Sequence, residues 1–278
     1  MNQHVLEDVS SSATAFSFAS LDASLTAPPT FISTGIDRSL TVTARGDHIP
    51  ARYRRAMHAF RFVQYWRLGF LDPGQVDLDV YAEELRGHIP HREYHSLVLD
   101  RRTGRAVAYV YLVLPDAAGT GDSFTLEQEY DVTVGTTIGY GLPRSHVWEA
   151  KRQVRRVGMP WSNLARNAPW WAMLGLSHVA TDLHERGELV GFVADGDPAG
   201  SPSTFELLGF TVTRSDEKPK PANVDGRYGP MWLQETTPVP YIATVSPHQV
   251  GHLRKVEEFL QRNRDGSVRK QLSRWGWS

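Results

Sequence analysis

The chain has 278 residues, with 30 basic and 31 acidic side chains, 41% hydrophobic residues and no cysteine. This length can bury a full core. The balanced charge gives no global field toward nucleic acid or membrane, and the missing thiols exclude a disulfide framework, thiolate chemistry and the commonest structural zinc ligands.

Residues 1–45 are rich in Ser, Thr and Ala around Pro28 and Pro29, which predicts a loosely ordered N-terminal arm, although Phe16, Phe18, Phe31 and Ile32 are more apolar than a linker needs. The start lacks a basic segment before an apolar run, and no stretch reaches the ~18 apolar residues of a membrane span, so a cytoplasmic protein without a span is expected. Over residues 51–71, Tyr53, Met57, Phe60, Val63, Trp66 and Phe70 recur at helical spacing, with Arg54, His58, Arg61 and Tyr65 in a second stripe. That helix should end near Gly69, before Asp72-Pro73-Gly74.

A short strand over 76–81 puts Asp77 and Asp79 on one face. Two such carboxylates repel and call for a cation, a substrate amine in the functional reading and solvent ions in the plain one. His88, His91 and His95 invite a test for metal, but Pro90 breaks the spacing and His95 enters a strand, so no metal site is expected. Residues 94–100 and 105–115 read as an antiparallel hairpin, joined by Arg101-Arg102-Thr103-Gly104 with glycine at the left-handed position.

The segment His-Val-Trp-Glu-Ala-Lys-Arg-Gln-Val-Arg-Arg, residues 146–156, sets a lone carboxylate, Glu149, in an apolar strand that turns basic. Side chains alternate along a strand, so a bulge would be needed to bring Glu149 and Arg152 to one cleft, where Glu149 could accept a proton or hold an ammonium. The run Lys151, Arg152, Arg155 and Arg156 suits a phosphate or an acidic partner, or is a solvated basic stretch. Residues 157–169 read as a loop, with Pro169 in the first turn of a helix carrying Trp170, Trp171, Met173, Leu174, Leu176, Val179 and Leu183. Strands are expected over 189–194, 211–214 and 231–234, the second after a sharp turn at Leu208-Gly209-Phe210. Ser246-Pro247 should start an amphipathic helix through Val250, Leu253, Val256 and Leu260, and a basic tail follows Asp265. Neither Gly-x-Gly-x-x-Gly, a phosphate-binding P-loop nor Gly-x-Ser-x-Gly is present.

This order of mixed α/β elements resembles the GNAT acyltransferase fold, and over residues 52–234 more narrowly the acyl-homoserine-lactone synthases and N-acyl amino acid synthases. Arg61, Tyr65 and Trp66 are similar to that family's N-terminal arginine, aromatic residue and tryptophan. Asp77 and Asp79 resemble its acidic pair, and Glu149 and Arg152 its Glu-x-x-Arg. Tyr111 stands before Leu112 where the family often has arginine, which favours a free amino acid over S-adenosylmethionine as acceptor.

The resemblance implies a GNAT-like, mainly antiparallel central sheet flanked by helices over residues 46–240, preceded by the 1–45 arm and followed by a C-terminal helix and tail over 241–278. It also implies an N-acyltransferase moving an acyl group from acyl carrier protein or acyl-CoA to an amine, without a permanently bound cofactor. Glu149 would be the base. Arg61, Tyr65, Trp66, Asp77, Asp79, Tyr111 and Arg152 would hold the acceptor. Lys151, Val154, Arg155, Arg156, Trp170 and Trp171 would hold the donor, with backbone N–H groups near Val154 and Arg155 facing the oxyanion. The segment 155–160 is a degenerate pyrophosphate loop, which tilts the donor toward acyl carrier protein. The rival readings are an acetyl-CoA-dependent GNAT acetyltransferase and a GNAT-shaped binding module without turnover; nucleic-acid binding would rest on the basic tail alone.

Overall fold

The computed structural model describes residues 9, 11, 17–76, 88–115, 124–263 and 267–275, with the side chains of Arg152, Ala222 and Trp275 outside that set. In chain order the main elements are β1 (Phe31–Thr34), β2 (Ser39–Arg45), α1 (Ala51–Arg67), β3 (Glu93–Asp100), β4 (Arg105–Val113), α2 (Thr125–Glu129), β5 (Val147–Arg155), α3 (Asn163–Glu185) and β6 (Gly191–Gly196). There follow α4 (Ser201–Leu207), β7 (Thr211–Arg214), α5 (Pro221–Val224), α6 (Gly229–Trp232), β8 (Val239–Thr244), α7 (Gln249–Arg262) and α8 (Val268–Leu272). The strands form one sheet in the order β1-β2-β3-β4-β5-β6-β8-β7. Every neighbouring pair is antiparallel except β5 and β6, which run parallel. This is the mixed, mainly antiparallel sheet flanked by helices that the GNAT resemblance implies.

Alternation along the strands divides the side chains between two faces. On one face α3 crosses β2, β3 and β4, and its Trp171, Met173, Leu174 and Leu176 pack with Val98, Val110, Leu112 and Trp148, while Leu253, Val256 and Leu260 of α7 extend the same core. On the other face α1 sets Tyr53, Met57 and Phe60 against Leu97, Leu99, Tyr109 and Val154. Farther along that face Phe124, Leu126, Tyr130, Val132 and Trp232 cover Val147, Val193 and Ile242. The second face therefore has two separate covers, and the gap between them lies over β5 and β6.

The hairpin is where the sequence puts it, with Gly104 at φ 65° closing the turn from β3 to β4. The helix expected over 51–71 ends at Arg67, and Gly69 adopts φ 71° just beyond it. Four expectations need correction. Residues 31–45 are not an arm: Phe31 and Ser33 point inward and Ile32 and Thr34 outward, and the Ser/Thr-rich β2 pairs with β3 over its whole length. One of its buried hydroxyls, that of Thr43, donates to Ser96 (2.9 Å), whose hydroxyl donates to the Ala172 carbonyl (2.8 Å).

Helix α3 starts at Asn163, capped by Ser162 accepting from the Ala165 N–H, so Pro169 lies inside the helix rather than in its first turn. Residues 229–232 are a short helix, not a strand. Finally, β8 lies between β6 and β7, so a boundary at 240/241 would cut through the sheet. The strand expected over 76–81 lies almost wholly outside the described residues.

Candidate active site

β5 and β6 pair only at Val147–Gly191, Trp148–Phe192 and Glu149–Val193. Beyond that point β6 follows β8 and β5 follows β4, so the two parallel strands part like the arms of a V. Among the described residues no strand pairs with β5 on its inner side from Ala150 onward, and alternate peptide groups of that edge face the opening. One extra residue of β5 is accommodated between Lys151, opposite Tyr111, and Val154, opposite Tyr109. This bulge lies just past Glu149 and bends the strand where it leaves β6.

A cavity of about 380 Å³ occupies the V. Tyr65, Phe70, Tyr228 and Met231 form an apolar side, and Glu129, Glu149, Asp195 and Asp197 bring four carboxylates against one ammonium, that of Lys151. Among the described residues the lining is therefore strongly acidic.

Glu149 is 3% exposed. Its Oε1 accepts the Leu126 N–H (3.0 Å) and its Oε2 the Thr125 N–H (3.2 Å), the first two amides of α2, which have no partner within the helix. Lys151 Nζ lies 2.8 Å from the same Oε2 and also bonds the Thr125 hydroxyl. Three donors thus converge on one carboxylate, which ties α2 to β5 and fixes the ammonium at the mouth of the V. The spacing Glu149-x-Lys151, two residues on a strand, is the sequence signal for this pair.

Asp195 faces the opening from β6. Its Oδ2 accepts from the Tyr130 hydroxyl at 3.1 Å, and that hydroxyl is 3.2 Å from the Pro238 carbonyl. Burial, helped by the charges of Asp195 and Glu129, pushes the Tyr130 phenol far above its ordinary value, so it remains a donor. Asp197 receives the Ala199 N–H on Oδ1 (3.0 Å). The sequence reading missed Glu129, Asp195 and Asp197 as site residues, because they lie on three separate stretches that only the chain path brings together.

Of the residues singled out from sequence, Tyr65, Glu149 and Lys151 line the cavity. Arg61 is 2% exposed, deep under α1, with Tyr65 one turn on and its guanidinium carbon 5.9 Å from the Tyr65 ring centre. Trp66 packs against a small cluster of Phe62, Val63 and Leu71, and Tyr111 lies in the core beneath α1, stacked on His95. Val154 is buried in that same core, and Arg155 is exposed. Arg156 donates through Nε to the Ala106 carbonyl (2.7 Å) and lies over the Phe60 ring, and burial lowers its guanidinium from the usual value. Trp170 and Trp171 belong to the core around α3, not to the cavity wall. Asp77 and Asp79 lie outside the described residues, as does the side chain of Arg152.

No protein-family model matches this chain, and no curated protein sequence does. Among solved structures it is similar to the acyl-homoserine-lactone synthase LasI, with 12% identity, a TM-score of 0.46, and coverage of 78% of this chain and 95% of that one. It is also similar to FeeM, an N-acyl amino acid synthase from uncultured soil microbes, with 14% identity, a TM-score of 0.48, and coverage of 77% and 94%. A third is RimL, the ribosomal L7/L12 alpha-N-protein acetyltransferase, with 12% identity, a TM-score of 0.38, and coverage of 78% and 94%. The likeness is one of fold.

Proposed function

We propose that this chain is an N-acyltransferase that moves an acyl group from a thioester to an amine in the V between β5 and β6. The observation that carries the proposal is the free edge of β5 facing an acid-lined cavity. An extended donor arm with amide groups can lie along that edge as an added strand, which fixes its thioester beside the bulge. Peptide N–H groups of the same edge supply donors for the oxyanion. The acidic lining attracts an amine in its ammonium form, and the apolar side supplied by Tyr65, Phe70, Tyr228 and Met231 accepts a hydrocarbon chain.

In the reaction the ammonium first gives one proton to a base, and the neutral nitrogen then attacks the thioester carbon. The C–N bond forms, the carbonyl electrons collect on oxygen and return as the C–S bond breaks, the second amine proton leaves, and the sulfur departs as thiol. Asp195 is our choice of base, because it faces the opening and is oriented by Tyr130. Glu149 was the base expected from sequence; with three donors on its oxygens it serves in this proposal to hold Lys151 and α2. The donor is proposed to be an acyl group on a phosphopantetheine arm, with the exposed Arg155 available to an acidic carrier protein. The proposed acceptor is an amine of net positive charge, which the four carboxylates favour over a zwitterionic amino acid; Tyr111, whose place in the sequence favoured a free amino acid, lies in the core beneath α1 and is not part of the cavity lining.

Mass spectrometry of lipophilic extracts from cells expressing the wild type, Asp195→Asn or Glu149→Gln provides the test. An N-acylated amine present with the wild type and lost with Asp195→Asn is the expected result. A wild type that yields no such product in a host with a broad acyl-thioester supply would overturn the proposal. Adding purified protein to acyl carrier protein or CoA thioesters then separates the two donors.

A further inference from the structure

Beneath α1, on the face of the sheet that also bears the cavity, lies a cluster of imidazoles around a buried carboxylate. Glu93 begins β3 and is 2% exposed, and His58 from α1 is 3% exposed. His88, on the approach to β3, places Nδ1 2.7 Å from Glu93 Oε1. His58 and His88 stack with ring centres 3.8 Å apart, and one ligand atom from each of His58, His88 and Glu93 can be chosen so that all three lie within 4.8 Å of one another.

On the far side His95 Nε2 is 3.2 Å from Glu93 Oε2, though outside hydrogen-bond geometry, and His95 Nδ1 is 2.7 Å from the Tyr109 hydroxyl. Burying a carboxylate among imidazoles is costly where its own hydrogen bonds satisfy it incompletely.

We propose that His58, His88 and Glu93 bind one divalent transition-metal ion, with zinc as the reference ion, and that His95 and Tyr109 orient the carboxylate from behind. Two imidazoles and a carboxylate form a borderline donor set of the kind that holds zinc with a fourth position open to water. Zinc bonds of about 2.0–2.1 Å place ligand atoms about 3.3 Å apart in a tetrahedron, so separations of up to 4.8 Å must close by as much as about 1.5 Å, and His88 Nδ1 and Glu93 Oε1, now at 2.7 Å, must part slightly if both ligate. Rotation of the stacked His58 and His88 rings toward a common point provides that movement.

With Oε1 on the ion, Oε2 is left to accept from His95 Nε2–H, and His95 Nδ1 then accepts the Tyr109 proton. This chain of contacts fixes one tautomer and one carboxylate orientation. The position is apart from the V, and the ion would tie α1 to β3. His91, which the sequence pairs with His88, is exposed; His58 takes its place because α1 lies across the start of β3. Arg61 on the same helix acts electrostatically on His88 and opposes a cation, which sets the affinity below that of a closed four-ligand site.

The test uses the untagged full chain, stripped with a chelator and titrated with Zn(II) against a chromophoric chelator, then with Co(II) read by its visible absorption. Expected are one equivalent of metal bound with a Kd of about 10 µM or tighter, Co(II) bands of low coordination number, and a Tm that rises with added zinc. His58→Asn and His88→Asn should each weaken binding at least about 100-fold, and His95→Gln about 10-fold to 100-fold, whereas His91→Asn should leave it unchanged. Thermal unfolding in chelator shows which variants are folded, and only those are scored. Absence of saturable binding to the wild type would overturn the proposal, as would unchanged stoichiometry and affinity in a folded His58→Asn/His88→Asn protein.

Discussion

Asp195 and Glu149 both line the cavity, yet their surroundings predict different consequences of neutralising them. Asp195→Asn keeps the side chain's size and the contact with Tyr130 but removes the proposed base, so kcat should fall about 10²-fold to 10⁴-fold with Tm nearly unchanged. Glu149→Gln leaves at least one of its three donors unmatched, which costs about 1–3 kcal/mol and should lower Tm by about 2–4 °C for each kcal/mol in a chain of this size. Purified variants compared by initial rates and by calorimetry separate the two roles. If Glu149→Gln abolished turnover without moving Tm while Asp195→Asn remained active, the assignments would be reversed. The sequence pointed to Glu149 because an acid inside an apolar strand is conspicuous; Asp195 falls just past the strand expected over 189–194, before Gly196-Asp197-Pro198, where an acid is unremarkable. Only the parting of β5 and β6 makes it face a cavity.

At the scale of elements, the approach of α3 to the sheet is set by Gly175. A Cβ there would lie 2.2 Å from Thr43 Oγ1 and 2.7 Å from Ser96 Oγ, so Gly175→Ala should destabilise the fold by about 1–3 kcal/mol through overpacking. Chemical denaturation would measure the loss, and adding Thr43→Ala should restore part of it. One turn farther along α3, His178 stacks on Phe31 of β1 with ring centres 4.5 Å apart. Burial pushes its imidazole down to about 4 from the ordinary value of 6.5.

Glu257 of α7, 3.8 Å from His178 Nε2, is the acid that faces it. Because the folded state holds the proton less tightly than the unfolded chain, this site's stabilisation is complete above pH 6.5 and declines as pH falls toward 4. Between pH 7 and pH 5 the decline should be about 1–2 kcal/mol, and His178→Gln should flatten that part of the stability curve. The helix α7 was legible because its apolar residues recur on one face, α1 and α3 because their apolar runs are long, and the β3–β4 hairpin because Gly104 marks its turn. β2 was not, since its alternating Ser39, Thr41 and Thr43 read as linker composition until their strand is seen paired with β3 along its length and Thr43 bonded to Ser96.

For the whole molecule, balanced charge in the sequence conceals an uneven distribution, because among the described residues the cavity gathers Glu129, Glu149, Asp195 and Asp197 around the one ammonium of Lys151. A cationic acceptor should therefore show a KM that rises several-fold between about 50 and 500 mM salt, since the Debye length falls below about 10 Å in that range, while kcat stays level. A salt-independent KM would argue for an uncharged acceptor. This asymmetry could not be read from composition, since it depends on which ends of β5, β6 and α2 face one another. The order β6-β8-β7 also bears on how the protein is made. β6 matches three residues with β5 but six with β8, and β8 is not synthesised until residues 239–244. On the ribosome, β1 to β5 can assemble with α1 and α3 while β6 still lacks its main partner, so the Asp195 wall should be completed late in translation, and nascent chains stalled before residue 239 should protect the first half of the sheet from proteolysis but not the second.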